Sequence, residues 1–85
     1  MIKEGKGSFY IGNRDNPDAV IEYVEDEYIT INHTFVSESL RGFGVAKKLL
    51  DQVVLLARLK NKKIIPLCSY AKEKLNSEEY KDILI

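Results

Sequence analysis

The chain has 85 residues, 45% of them apolar and 31% charged, a balance suited to one folded domain and not to a disordered segment. Its 13 Lys and Arg cancel 13 Asp and Glu, so the positive excess that phosphate neutralisation needs is missing, which argues against nucleic acid as a partner. No stretch reaches the apolar length that spans a bilayer, no apolar signal core follows Met1-Ile2-Lys3-Glu4, and the single Cys68 excludes an internal disulfide; a cytoplasmic protein with one domain over residues 1–85 is expected.

Ser8-Phe9-Tyr10-Ile11 has strand composition, and the turn formers Asn13 to Asp18 follow it. Further strands are predicted from Ala19 to Val24 and from Tyr28 to Val36, both rich in β-branched and aromatic residues and joined by Glu25-Asp26-Glu27. Links this short favour an antiparallel meander of three strands. From Gly44 the period changes. Val45, Leu49, Val53 and Leu56 recur at helical spacing, and Ala46, Leu50, Val54 and Ala57 widen the stripe. Lys60-Asn61-Lys62-Lys63 closes this helix, with Asn61 suited to a left-handed cap. Ile64 to Cys68 is a fourth strand. A strand, helix, strand order implies a right-handed crossover and parallel pairing of the third and fourth strands. From Tyr70 onward the chain reads as one or two short helices, the second capped by Asn76 or Ser77. The expected fold is α/β with a mixed sheet. Pro66 cannot donate to a ladder, so the fourth strand is either an edge or parts from its neighbour near that residue.

Ser39-Leu40-Arg41-Gly42-Phe43-Gly44-Val45-Ala46 joins a strand to the long helix. A helix start leaves backbone N–H groups unpaired, and with the helix dipole these form an anion site. Glycines let a phosphate approach the backbone, and Arg41 adds a charge. The P-loop pattern is absent, and only Gly42-x-Gly44 of the dinucleotide fingerprint is present. The residues alone leave two readings open: a phosphate cradle, or a glycine turn that only starts the helix.

Arg41-x-x-Gly44-x-Ala46 resembles the acetyl-CoA signature of the GCN5-related N-acetyltransferase superfamily, Gln/Arg-x-x-Gly-x-Gly/Ala. A longer pattern, His33-Thr34-x-Val36, Arg41-Gly42-x-Gly44-x-Ala46-Lys47 and Cys68-x-Tyr70, is similar to the minimal YjdJ-like subfamily from about Ile29 to Lys74. The resemblance implies a GNAT-like fold that binds acetyl-CoA and moves its acetyl group to an amine, with no metal. It places the diphosphate on Arg41, Gly42, Phe43, Gly44, Val45 and Ala46, and the pantetheine arm between two diverging parallel strands near Phe35, Val36 and Tyr70. A free N–H of Phe35 or Val36 is then available to the thioester carbonyl. Tyr70 could pack on the pantetheine or adenine and Lys72 could reach a phosphate, or both belong to a solvent-exposed short helix with the tyrosine docked on the core. The larger relatives' elements around the acceptor have no counterpart in this sequence, and a monomer or loose homodimer is expected.

His33 and Cys68 are the only residues of their kinds. In the resembled subfamily both are implicated in transfer. The thiolate could accept the acetyl group with imidazole help, or the amine could attack directly while His33 takes its proton. The alternatives are structural. Simple alternation puts His33 on one face with Ile29, Ile31 and Phe35, as a core histidine, and a lone cysteine often packs as a small apolar residue. Two non-enzymatic readings also remain: a CoA-binding module without chemistry, and an interaction domain.

Overall fold

A computed structural model describes all 85 residues. Strands β1 (Lys3–Gly5), β2 (Ser8–Gly12), β3 (Pro17–Glu25) and β4 (Ile29–Val36) form an antiparallel meander. Helix α1 (Val45–Lys60) crosses over to β5 (Ile64–Pro66), which pairs with β4 in parallel and completes a five-stranded sheet in the order β1-β2-β3-β4-β5. Helix α2 (Ser69–Lys74) and a 3-10 turn at Glu78–Tyr80 follow. The expected mixed α/β sheet is therefore present, with two corrections. The meander has four strands instead of three, because the polar segment Lys3–Gly5 folds back on Ser8–Tyr10 through a turn in which Gly7 has φ 72°. The strand expected from Ile64 to Cys68 stops at Pro66, which ends the parallel ladder opposite Ile31.

Helix α1 buries Leu49, Leu50, Val53, Val54 and Ala57 against Ile21, Ile29, Ile31 and Ile64 of the sheet. Asn61 ends it in the left-handed conformation, φ 55° and ψ 44°, and the Asn61 and Lys62 N–H groups cap carbonyls of the last turn. The C-terminal segment packs beside α1 through Leu75, Tyr80 and Ile83. Arg58 fixes it there, donating to both carboxylate oxygens of Asp82 at 3.1–3.2 Å and to the Glu79 carbonyl at 2.9 Å. Ile64 lies in a parallel bridge with Leu84, so the outer edge of β5 is partly closed.

One irregularity decides which way β4 faces. Glu25, Val24 and Tyr23 pair with Ile29, Thr30 and Ile31, but Glu22 pairs with His33. Asn32 is an extra residue, a β-bulge that shifts the alternation by one. Ile29 and Ile31 point into the core, and beyond the bulge Thr34 and Val36 follow them, opposite Ile21 and Ala19. His33 and Phe35 go to the other face. The alternative reading of His33 as a core histidine is thus overturned: it is exposed. No helix covers that face, and Val24 and Phe35 stay 53% and 40% exposed on it.

Candidate functional site

Beyond β4 the chain makes a 3-10 turn at Glu38–Leu40 and enters α1 through Gly42, φ 89°, and Gly44, φ 72°. Residues with a Cβ seldom adopt these angles. A Cβ built on either glycine meets nothing within 4 Å, so the space above them is open. The first bond of α1 is from Lys48 N–H to the Gly44 carbonyl, 3.1 Å. The amides of Val45, Ala46 and Lys47 precede it and have no acceptor within the helix.

This helix start is unusual in its charges. Helices favour a Ser, Thr, Asp or Asn cap and acids in the first turn. Here Gly44 stands at the cap, no side chain caps the turn, and the first turn contains no acid. Instead Lys47 and Lys48 lie there. A cavity of about 370 Å³ opens at this end, lined by Val36, Leu40, Arg41, Gly42, Gly44, Val45, Ala46, Lys47, Tyr70 and Lys74. Arg41 Nε donates to the Val36 carbonyl at 3.2 Å, which ties the turn to the end of β4. The Lys47 ammonium lies 3.2 Å from Asp51, whose hydrogen bond holds its pKa above the usual lysine value. Lys74 Nζ sits 6.0 Å from the centre of the Tyr70 ring, and burial pushes the Tyr70 phenol up.

Next to this cavity β4 loses its neighbour. Pairing with β5 ends at Ile31 and Pro66, where the Leu67 and Cys68 amides both donate to the Ile31 carbonyl at 2.9 and 3.2 Å. Ser37 N–H donates to Asp18 O at 2.7 Å. With the register this sets the direction of every amide in the upper half of β4: His33 and Phe35 bond toward β3, while Thr34 and Val36 point to the vacated side. Of the two amides expected for a carbonyl contact, Val36 therefore faces the opening and Phe35 is taken up by the sheet.

Cys68 is partly buried at the start of α2, its sulfur 3.3 Å from Thr34 Oγ1 and 3.4 Å from the Ala71 amide, from which it accepts. Thr34 and His33 are neighbours in a strand, so their side chains leave opposite faces. The fold brings Cys68 to Thr34 and sends His33 away from both. Among the residues read from sequence, Arg41, Gly42, Gly44, Val45, Ala46, Val36 and Tyr70 converge on one cavity. Phe43 projects outward, 71% exposed, and Lys72 lines a different hollow with Pro66 and Asn76. Leu40 and Lys74 were not legible as cavity residues, although the four-residue spacing of Tyr70 and Lys74 puts both on one face of a helix.

A family model described as GCN5-related N-acetyl-transferase matches residues 8–83. The chain is similar to the NMR solution structure of a GCN5-like proposed N-acetyltransferase from Staphylococcus aureus. The two are 47% identical with a TM-score of 0.83, over 100% of this chain and 87% of that one. A proposed acetyltransferase of the GNAT family from Bacteroides thetaiotaomicron is 24% identical with a TM-score of 0.47, over 81% of this chain and 41% of that one. No curated protein matches the chain. A family match across nearly the whole sequence agrees with a crossover sheet whose long helix starts on a glycine turn, and the chain belongs to the GCN5-related N-acetyltransferase family.

Proposed function

We propose that this protein transfers the acetyl group of acetyl-CoA to an amine, as a member of the minimal subfamily its His33, Arg41-to-Lys47 and Cys68 pattern resembles. One observation carries the reading: α1 begins without a cap or an acid, among Arg41, Lys47 and Lys74, over two glycines with open space above them. That is a helix start arranged for an anion. In this reading the diphosphate of acetyl-CoA accepts hydrogen bonds from the Val45, Ala46 and Lys47 amides. A Cβ at Gly42 or Gly44 would fill the space it takes. Tyr70 and Lys74 flank it.

The acyl end then runs along the unpaired edge of β4, where the Val36 amide donates to the thioester oxygen as negative charge develops on it. Between the two chemical routes, the geometry favours direct attack. Cys68 is engaged with Thr34 and the Ala71 amide, and His33 leaves the other face, so no imidazole stands beside the sulfur to activate it. The amine enters as an ammonium and gives one proton to the His33 imidazole. Its lone pair attacks the carbonyl carbon, the carbon–sulfur bond breaks, and the CoA sulfur takes the proton that the new amide nitrogen releases. A second reading, CoA binding without chemistry, is favoured by the exposure of His33 on an uncovered face.

Two measurements test the proposal. Acetyl-CoA added to 15N-labelled protein should shift the amides of Val36 and of Arg41 to Lys47; unmoved signals there would sink both readings. Release of CoA thiol in the presence of a panel of amines then separates transfer from binding, since a pure binder releases none above background.

A further inference from the structure

The uncovered face of the sheet carries one polar row across three strands. Ser8 of β2 lies opposite Glu22 of β3, and Glu22 lies opposite His33 of β4. Paired residues on one face stand roughly 5 Å apart. The hydroxyl, carboxylate and imidazole are therefore neighbours in line. The next row includes Tyr10, Val20 and Phe35, so the polar row has an aromatic and aliphatic border.

Glu22 differs from Glu25 of the same strand. Glu25 is held by Lys60 and Lys62 at 2.8 and 3.0 Å. Glu22 is exposed and takes part in no salt bridge or side-chain hydrogen bond. Lys3, on the same face at the outermost strand, spends its ammonium on the Gly12 carbonyl at 3.2 Å. An unpaired carboxylate beside an imidazole, next to apolar side chains and with no cation of its own, suits a ligand that carries positive charge on an alkyl chain.

We infer that Glu22 selects the acceptor, holding the ammonium of an aliphatic di- or polyamine on the open face beside His33. The inference rests on the acetyl-transfer reading and deepens it. With one ammonium on Glu22 and Ser8, the far amine of the same molecule, or that ammonium itself after giving His33 a proton, meets the acyl group at the edge of β4. An acceptor without positive charge gains nothing from Glu22.

The test compares 1,5-diaminopentane with hydroxylamine, which is largely uncharged at neutral pH, in wild-type protein and in Glu22→Gln. The ratio of kcat/KM for the diamine to that for hydroxylamine should fall at least tenfold in the variant, and Glu22→Asp should recover part of it. A ratio unchanged within twofold overturns the inference. If the wild type binds acetyl-CoA but acetylates neither compound, the transfer reading fails, and the inference is read by binding. Diaminopentane should then shift the amides of Ser8, Glu22 and His33 in 15N-labelled wild type and not in Glu22→Gln. Equal shifts in both proteins, or none in either, overturn it. Acetyl-CoA shifts at Gly44 in the variant establish that it is folded.

Discussion

Thr34 Oγ1 lies 3.3 Å from Cys68 Sγ, and this contact engages the only thiol in the chain. The sulfur sits where a helix cap would, accepting from the Ala71 amide. Cys68→Ser should keep that cap and, with the amine attacking the thioester directly as proposed, retain transfer within a few-fold. Cys68→Ala should cost about 1 kcal/mol of stability through loss of the cap. His33→Ala should lower kcat by about 100-fold, the usual scale for removing a general base, while acetyl-CoA affinity holds. Steady-state kinetics with calorimetric binding separates the two. A 100-fold loss in Cys68→Ser would mean that the sulfur carries the acetyl group.

Gly44 has φ 72° with nothing near its missing side chain. Gly44→Ala should therefore act in two ways. The left-handed backbone disfavours a Cβ by about 1–2 kcal/mol, and the methyl group enters the space assigned to the diphosphate. Acetyl-CoA affinity should fall at least tenfold, or about 1.4 kcal/mol, beyond any change in folding measured by urea titration. A variant that folds less well but binds as before would move the diphosphate elsewhere.

Lys74 and Lys72 sit two residues apart on α2 but line different hollows. Lys74→Ala should weaken acetyl-CoA binding several-fold and make it less sensitive to salt, because one cation at the anion site is lost. Lys72→Ala should leave binding within twofold. Titrations at two salt concentrations check both, and equal effects of the two variants would dissolve the distinction.

Stability should depend on pH at both ends of the scale. Hydrogen bonds from Lys60, then Lys62, hold the Glu25 carboxyl below the usual carboxylate range, and Arg58 does the same to Asp82. A carboxyl whose pKa is lower in the folded state stabilises above its ordinary value of about 4, and this is lost as pH falls through the lowered value. Lys60 shifts upward through Glu25. Its contribution is full below about pH 10 and is lost as pH rises past the raised value. Glu25→Gln should flatten both limbs of a melting-temperature profile. These groups are near the surface, so the effect should shrink in high salt. Unchanged limbs in the variant would assign the pH dependence to other groups.

Much of this architecture is legible in the amino-acid sequence. The helix from Val45 repeats its apolar residues at the right spacing, Asn61 marks its end, and strand-helix-strand order dictates the parallel pair. The features that are not legible have physical causes. Lys3–Gly5 is too short and polar to signal a strand by composition, and becomes one only because Gly7 lets it fold onto β2. The bulge at Asn32 leaves no compositional trace, since one unpaired residue changes pairing and not hydrophobicity. The glycine turn could be read as an anion site, but Lys74 comes from 30 residues further along and reaches the cavity only through the docking of α2.

The bulge at Asn32 makes strand register a chemical variable. Side chains on a strand have two settings, up or down, and whether one residue is paired or bulged out decides the setting of every residue after it. Were Asn32 paired like its neighbours instead of bulged, strict alternation would present Thr34 and Val36 to the solvent and turn His33 inward, whereas a chain without Asn32 would keep the faces seen here. A relative that pairs this residue regularly would then offer an acceptor the opposite surface, and residue-by-residue identity would not reveal it.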